Sequence, residues 1–243
     1  MKIHRFIDNF DLSKNELEIT GENAKQMAQV LKLKIGEKVE LCDGKGISAM
    51  AEIAKINKKS VLVKLEEFLH QNKDKQEKEV TLYCAILKKE NFELVVQKTT
   101  ECGISKIIPI ITERTIKTGL NTERLQKIAK EASEQSGRNN VPEISEPIKL
   151  EEAIKNTKGI NVFFDSSGDS LLKAHGYFSA SETNVNLFVG PEGGWTPKEI
   201  KKAKENNFSI ASLGSLTLRG ETAAIIATYL MVNSSPKPGL GEN

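Results

Sequence analysis

The chain has 243 residues, 38% hydrophobic and 28% charged, a balance that suits a soluble globular protein of one large or two modest domains and excludes a disordered chain. A net charge of +2 neither demands nor excludes nucleic acid, since a local basic face matters more than the total. No apolar run reaches the roughly 20 residues of a membrane helix, and MKIHRFIDNF lacks the apolar segment of a secretory signal, so a cytoplasmic protein without membrane attachment is expected.

In chain order, ENAKQMAQVL reads as a short helix, and EKVELC, SAMAEIAKI and SVLVKLEEF as strands separated by DGKG and NKK, both good turn chemistry. Strands this closely spaced indicate a small β-barrel or sandwich over residues 1–70. HQNKDKQEKE is wholly polar and marks a boundary, with residues 71–79 as linker. Beyond it the rhythm changes. VTLYCAIL is a strand, KENFELVVQKTTEC a helix stopped by Gly103, KIIPIIT a buried strand, and TERLQKIAKEASEQSG an amphipathic helix. NVFFD, NVNLFVG and FSIASLG follow as strands, with PKEIKKAKENN and ETAAIIATYLMV as helices. Such alternation implies an α/β domain over 80–233 with a mostly parallel sheet, followed by a flexible tail over 234–243.

Cys42, Cys84 and Cys102 show no CxxC spacing, and His4, His70 and His175 are scattered, so neither a disulfide framework nor a metal site is expected. The chemistry is concentrated instead in GPEGGWTPKEI. A P-loop needs Lys and Ser or Thr after its last glycine; here Trp195 and Thr196 follow Gly194. The spacing of Gly190, Gly193 and Gly194 is not that of a dinucleotide fingerprint, and Glu192 repels phosphate. What remains is a turn whose backbone approaches an uncharged ligand face, held by a T-x-x-E capping box at Thr196 and Glu199. Taken alone it also suits a purely structural turn. In LGSLTLRGETAA, Arg219 and Glu221 flank Gly220 before an apolar helix, where each also suits a surface or helix-start role.

Together, GPEGG and LRGETAA resemble the signature of the SPOUT class of RNA methyltransferases. More closely, the chain resembles the bacterial family that methylates N3 of a uridine in 16S ribosomal RNA. HRFI, VLKLKIGEKVELCDGKG, QKTTECGISKIIPIITER and EASEQSGRNNVPEI extend the likeness over most of the chain. The resemblance implies an α/β trefoil-knot domain behind a PUA-like RNA-binding barrel, acting as a homodimer on 16S rRNA of the small ribosomal subunit. It implies S-adenosylmethionine held by Gly190, Pro191, Glu192, Gly193, Gly194, Leu213, Gly214, Leu216 and Leu218, with Phe164 added. Arg219 is implied as the cation that steadies the uridine anion, with Arg138 as a second cation acting across the dimer and Glu221 as base or structural support. His4, Arg5, Lys32, Lys34, Lys88 and Arg114 are implied at the RNA or in shaping the site. The chain departs from the family pattern at Gly220 (threonine expected), Gln26 (histidine), Lys32 (arginine) and Cys102 (leucine). The same signature also fits a ribose 2′-hydroxyl methyltransferase or a non-catalytic RNA-binding paralogue.

Overall fold

The computed structural model describes residues 3–71, 78–116, 118–171 and 183–233; most of the expected linker and all of the expected tail lie outside them. The chain divides into two compact units, one formed by Met1–Lys75 with Ser133–Val141, the other by Gln76–Ala132 with Pro142–Asn243.

The first unit is a curled five-stranded sheet, a half-barrel. Strand β1 (His4–Ile7) runs parallel to β3 (Lys38–Cys42), and β4 (Ile47–Ile56), β5 (Ser60–Gln71) and β2 (Glu16–Thr20) continue antiparallel in the order β1-β3-β4-β5-β2. Gly44 and Gly46 adopt φ of 73° and 111° in the β3–β4 turn, where Asp43 Oδ1 accepts hydrogen bonds from the Lys45 and Ile47 amides. Three register shifts between β4 and β5 curl the sheet, because each bulge bends its strand. Its inward face buries Phe6, Val39, Leu41, Ala51, Ile53 and Val63.

The helix expected over ENAKQMAQVL begins at Gly21 as α1 (Gly21–Lys25) and widens into a π-helix over Gln26–Val30, closed by Leu31 donating to the Gln26 carbonyl. Ala24 and Met27 join the core from it. Neither β1 nor β2 is anticipated by the sequence reading, both being short.

The second unit holds β6 (Glu79–Ala85), α2 (Lys89–Glu101), β7 (Lys106–Ile111), α3 (Thr122–Ser136) as far as Ala132, β8 (Glu143–Ile144), β9 (Ile148–Lys149), α4 (Leu150–Asn156), β10 (Ile160–Ser170), β11 (Asn184–Val189), α5 (Pro197–Glu205), β12 (Ser209–Ser212) and α6 (Gly220–Asn233). Its sheet order is β12-β10-β11-β6-β7-β8, with β9 also on β7, and every pairing is parallel. Helices cover the sheet, so β6, β7 and β11 bury both faces and read as continuous apolar runs. Gly103, at φ 99°, ends α2 as the sequence indicates. The sequence reading misses α4, β8 and β9 and stops β10 too early. Leaving the edge strand β12, the chain returns as α6 to pack on α2, β6 and β11.

Candidate functional site

The site lies at the carboxyl ends of β11 and β12, the place where open parallel sheets present their loops to ligands, and beside β10 where its pairing with β11 ends at Phe164. The loop after β11 is fixed from several directions. Gly194, at φ 66°, donates its amide to the Pro191 carbonyl at 2.8 Å, a turn that glycine alone makes without strain. A Cβ on Gly190 would lie 3.0 Å from the Trp195 ring, so the backbone passes over the indole only because the side chain is absent. Trp195 is buried; its Nε1 donates to the Phe164 carbonyl at 2.9 Å, and its ring lies 4.1 Å from that of Phe163.

Two charged side chains anchor the same turn. Arg114 Nη1 donates to the Gly193 carbonyl at 2.6 Å and to the Trp195 carbonyl at 3.3 Å. Glu192 Oε1 accepts from the Lys88 amide at 3.0 Å, tying the turn to the start of α2. The capping box is present: Glu199 receives the Thr196 amide at 2.7 Å, and the Thr196 hydroxyl receives the Glu199 amide at 3.2 Å. Glu199 is buried, and its other oxygen takes the Glu113 amide at 3.0 Å.

The second loop leaves β12 through Gly214, at φ 143°, with Ser212 Oγ donating to the Gly214 carbonyl at 2.9 Å. It closes on the first loop where α6 begins. A Cβ on Gly220 would lie 2.9 Å from Leu87 and 3.4 Å from the Gly190 carbonyl, so the residue that departs from the family pattern occupies a place with little room.

The two loops and the middle of β10, Phe164–Ser166, enclose a cleft of about 690 Å³, within the range typical of small-molecule sites. All ten residues expected at the cofactor line it: Phe164, the five of Gly190–Gly194, Leu213, Gly214, Leu216 and Leu218. Lys88, Arg219 and Glu221 line it too. Leu216 is 80% exposed, whereas Leu213 and Leu218 are half-buried and form firmer walls. Thr217, inside the Leu216–Leu218 stretch, lines the cleft too, as do Asn91, Asp165, Ser166 and Trp195, which the resemblance does not assign to the cofactor. The signal for Asp165 and Ser166 lies in the sequence, since they directly follow the apolar residues Val162–Phe164 within β10, where the strand turns polar.

Other expected residues lie elsewhere. Arg114 is not among the cleft-lining residues and is spent on the Gly193 and Trp195 carbonyls. Arg138 belongs to the first unit, after Gly137 at φ 81°. His4 is half-buried in β1, and Lys32 and Lys34 are exposed, Lys32 at a left-handed φ of 52°. Arg5 departs from its expected place at RNA. Its Nε and Nη2 donate to both oxygens of Glu40, at 3.0 and 2.6 Å, and its Nη1 donates to Asn139 Oδ1 at 2.9 Å. The pair is only 14% and 12% exposed, so this guanidinium holds the unit together and is not offered at the surface.

Burial pushes the Cys42 thiol up to about 12 and raises that of Cys84 as well, the carboxylates of Glu192 and Glu221 adding to the Cys84 shift. Both stay protonated at neutral pH and serve as packing. Among the described residues no cluster of three His, Cys, Asp or Glu could hold a metal, and no helix is long and apolar enough to cross a membrane.

Residues 74–232 match the family model for an RNA methyltransferase domain, and residues 19–66 that for an RNA methyltransferase PUA domain. The ribosomal RNA small subunit methyltransferase E of Rickettsia conorii is 34% identical over 233 residues, covering 93% of this chain and 94% of that protein. Its Bacillus subtilis namesake is 28% identical, with 89% and 92% covered. Among solved structures, the Neisseria gonorrhoeae methyltransferase of that name, bound to S-adenosyl methionine, superposes with a TM-score of 0.84 at 28% identity, covering 95% of this chain and 97% of that one.

Proposed function

Because the chain belongs to the RNA methyltransferase family, we propose that it methylates N3 of a uridine in 16S ribosomal RNA. It is an S-adenosylmethionine-dependent methyltransferase of small-subunit ribosomal RNA. The observation that carries this reading is the joining of Gly190–Gly194 and Leu213–Leu218 into one cleft whose first loop is braced on all sides. The residues fit the cofactor: glycine backbone admits a flat nucleoside, Leu213 and Leu218 supply apolar walls, and Glu221 Oε2 is a buried polar atom with no hydrogen-bond partner among the described residues.

When bound, the cofactor supplies an electrophilic methyl group on a cationic sulfur. The chain's task is to hold the nucleophile in line with that methyl and to stabilise the deprotonated base. Arg219 is exposed within the cleft lining and forms no ion pair among the described residues, so its guanidinium can meet the anionic base. Lys88 adds a second cation at the start of α2. The first unit, whose residues 19–66 match the PUA model, places the RNA through its exposed basic side chains, Lys32 and Lys34 among them.

Homodimerisation and a cytoplasmic location belong to the same proposal. The apolar helix α6 leaves Tyr229 57% exposed, and α2, packed beside it, leaves Leu94 38% exposed, which suits a self-complementary interface. The expected trefoil knot belongs to the proposal too, supported by the return of α6 from the edge strand β12 to pack on β6 and β11.

The test is methylation of small subunits lacking the mark, with mass-spectrometric mapping of the product nucleoside. N3-methyluridine is expected; methylation confined to ribose would overturn the N3 assignment. In the same assay Arg219→Ala should lower turnover by roughly 10²-fold or more while changing cofactor affinity only a few-fold.

A further inference from the structure

We propose that Glu221 lets the cleft tell the charged methyl donor from its neutral product, its buried carboxylate facing the sulfonium of S-adenosylmethionine. This rests on the methyltransferase reading above. Glu221 lines the cleft in the first turn of α6, a helix of 14 residues, and is only 8% exposed. Its Oε2 is buried with no hydrogen-bond partner, and no ion pair to this carboxylate occurs among the described residues.

Native proteins leave few buried polar atoms unpaired, and a buried carboxylate without a partner is costly unless a cation or donors complete it. The amino end of α6 offsets part of that cost. The remaining cleft charges do not complete it. Arg219, two residues earlier, is exposed and makes no ion pair with Glu221 among the described residues. Glu192 receives the Lys88 amide, and Asp165 receives the Ser167 amide and hydroxyl. Lys88 and Arg219 are both exposed, so the buried charge in the cleft lining is a single negative one.

The reaction removes the positive charge that such a group favours. The deprotonated N3 forms a bond to the methyl carbon, the carbon–sulfur bond breaks, and sulfur keeps that electron pair and becomes a neutral thioether. The N3 proton leaves to an acceptor in the site or to water. Donor and product therefore differ by one methyl and one charge. A buried carboxylate discriminates on the charge, and a low-dielectric wall strengthens the effect.

The experiment is calorimetric titration of the full chain with S-adenosylmethionine, S-adenosylhomocysteine and sinefungin, which carries a protonated amine where the donor carries its methylated sulfur. The wild type should bind the two cationic ligands more tightly than S-adenosylhomocysteine. In Glu221→Gln that preference should shrink by on the order of tenfold, about 1.4 kcal/mol, with the affinity for S-adenosylhomocysteine held within about twofold. A wild type that binds S-adenosylhomocysteine as tightly as both cationic ligands overturns the proposal, even if the variant fails to fold. So does a variant that loses affinity for all three alike, or one that loses turnover with the donor-to-product ratio unchanged. Binding of none of the three removes the methyltransferase reading together with this one, whereas equal binding of all three removes only the inference.

Discussion

At the scale of single residues, the clearest case is Arg5. The stretch HRFI looks like an exposed basic entry to an RNA surface, and the resemblance assigns Arg5 there. Its partners are Glu40, 35 positions on, and Asn139, 134 positions on, so no local pattern could show that its donors are taken. Removing one charge of such a pair strands the other in a poorly hydrated place. Glu40→Gln should cost about 3 kcal/mol of stability, read as a lowered denaturation midpoint. If Arg5 acted chiefly on RNA, the substitution would leave the midpoint in place and weaken RNA binding alone. The residues that line the cleft were legible for the opposite reason: Gly190–Gly194 form one contiguous turn, and their partner loop carries its own glycines and leucines. Glu221 was visible as a position, but its missing hydrogen-bond partner was not.

At the scale of elements, the cap of α5 could be read directly, because Thr196, Pro197 and Glu199 carry their geometry in their spacing. The sequence could not show that the Glu199 carboxylate also receives the Glu113 amide, which joins the end of β7 to the glycine turn. Glu199→Ala therefore removes a cap and a loop tether at once. It should cost about 2 kcal/mol of stability and weaken S-adenosylmethionine binding several-fold, measured by thermal unfolding and titration. A variant with wild-type cofactor affinity would show that the turn holds without this tether. The helix over 22–31 was found but not its π-turn, since one extra residue per turn leaves the apolar positions Ala24 and Met27 where an α-helix also puts them. The strands β8 and β9, of two residues each, are too short to carry any period.

At the scale of the whole molecule, strand–helix alternation announced a parallel sheet, while the order β12-β10-β11-β6-β7-β8 depends on pairings that alternation does not encode. The proposed dimer is decided at this scale too. Tyr229 is 57% exposed on a helix whose other side is core, so Tyr229→Asp should convert a dimer into a monomer in light scattering at micromolar concentration. A protein that is already monomeric as wild type would remove the dimer and, with it, the reason to place Arg138 in a partner's site.

The first unit takes most of its residues from one end of the chain and the rest from Ser133–Val141. Arg5 needs Asn139, the Ile7 amide donates to Glu134, and the Cys42 thiol lies against Asn139. In inheritance, then, this half-barrel is not a cassette. A recombination event that carried only its leading strands into another gene would deliver a fold with its own seam torn open. Lineages that exchange this module must exchange two separate stretches of coding sequence, or keep both.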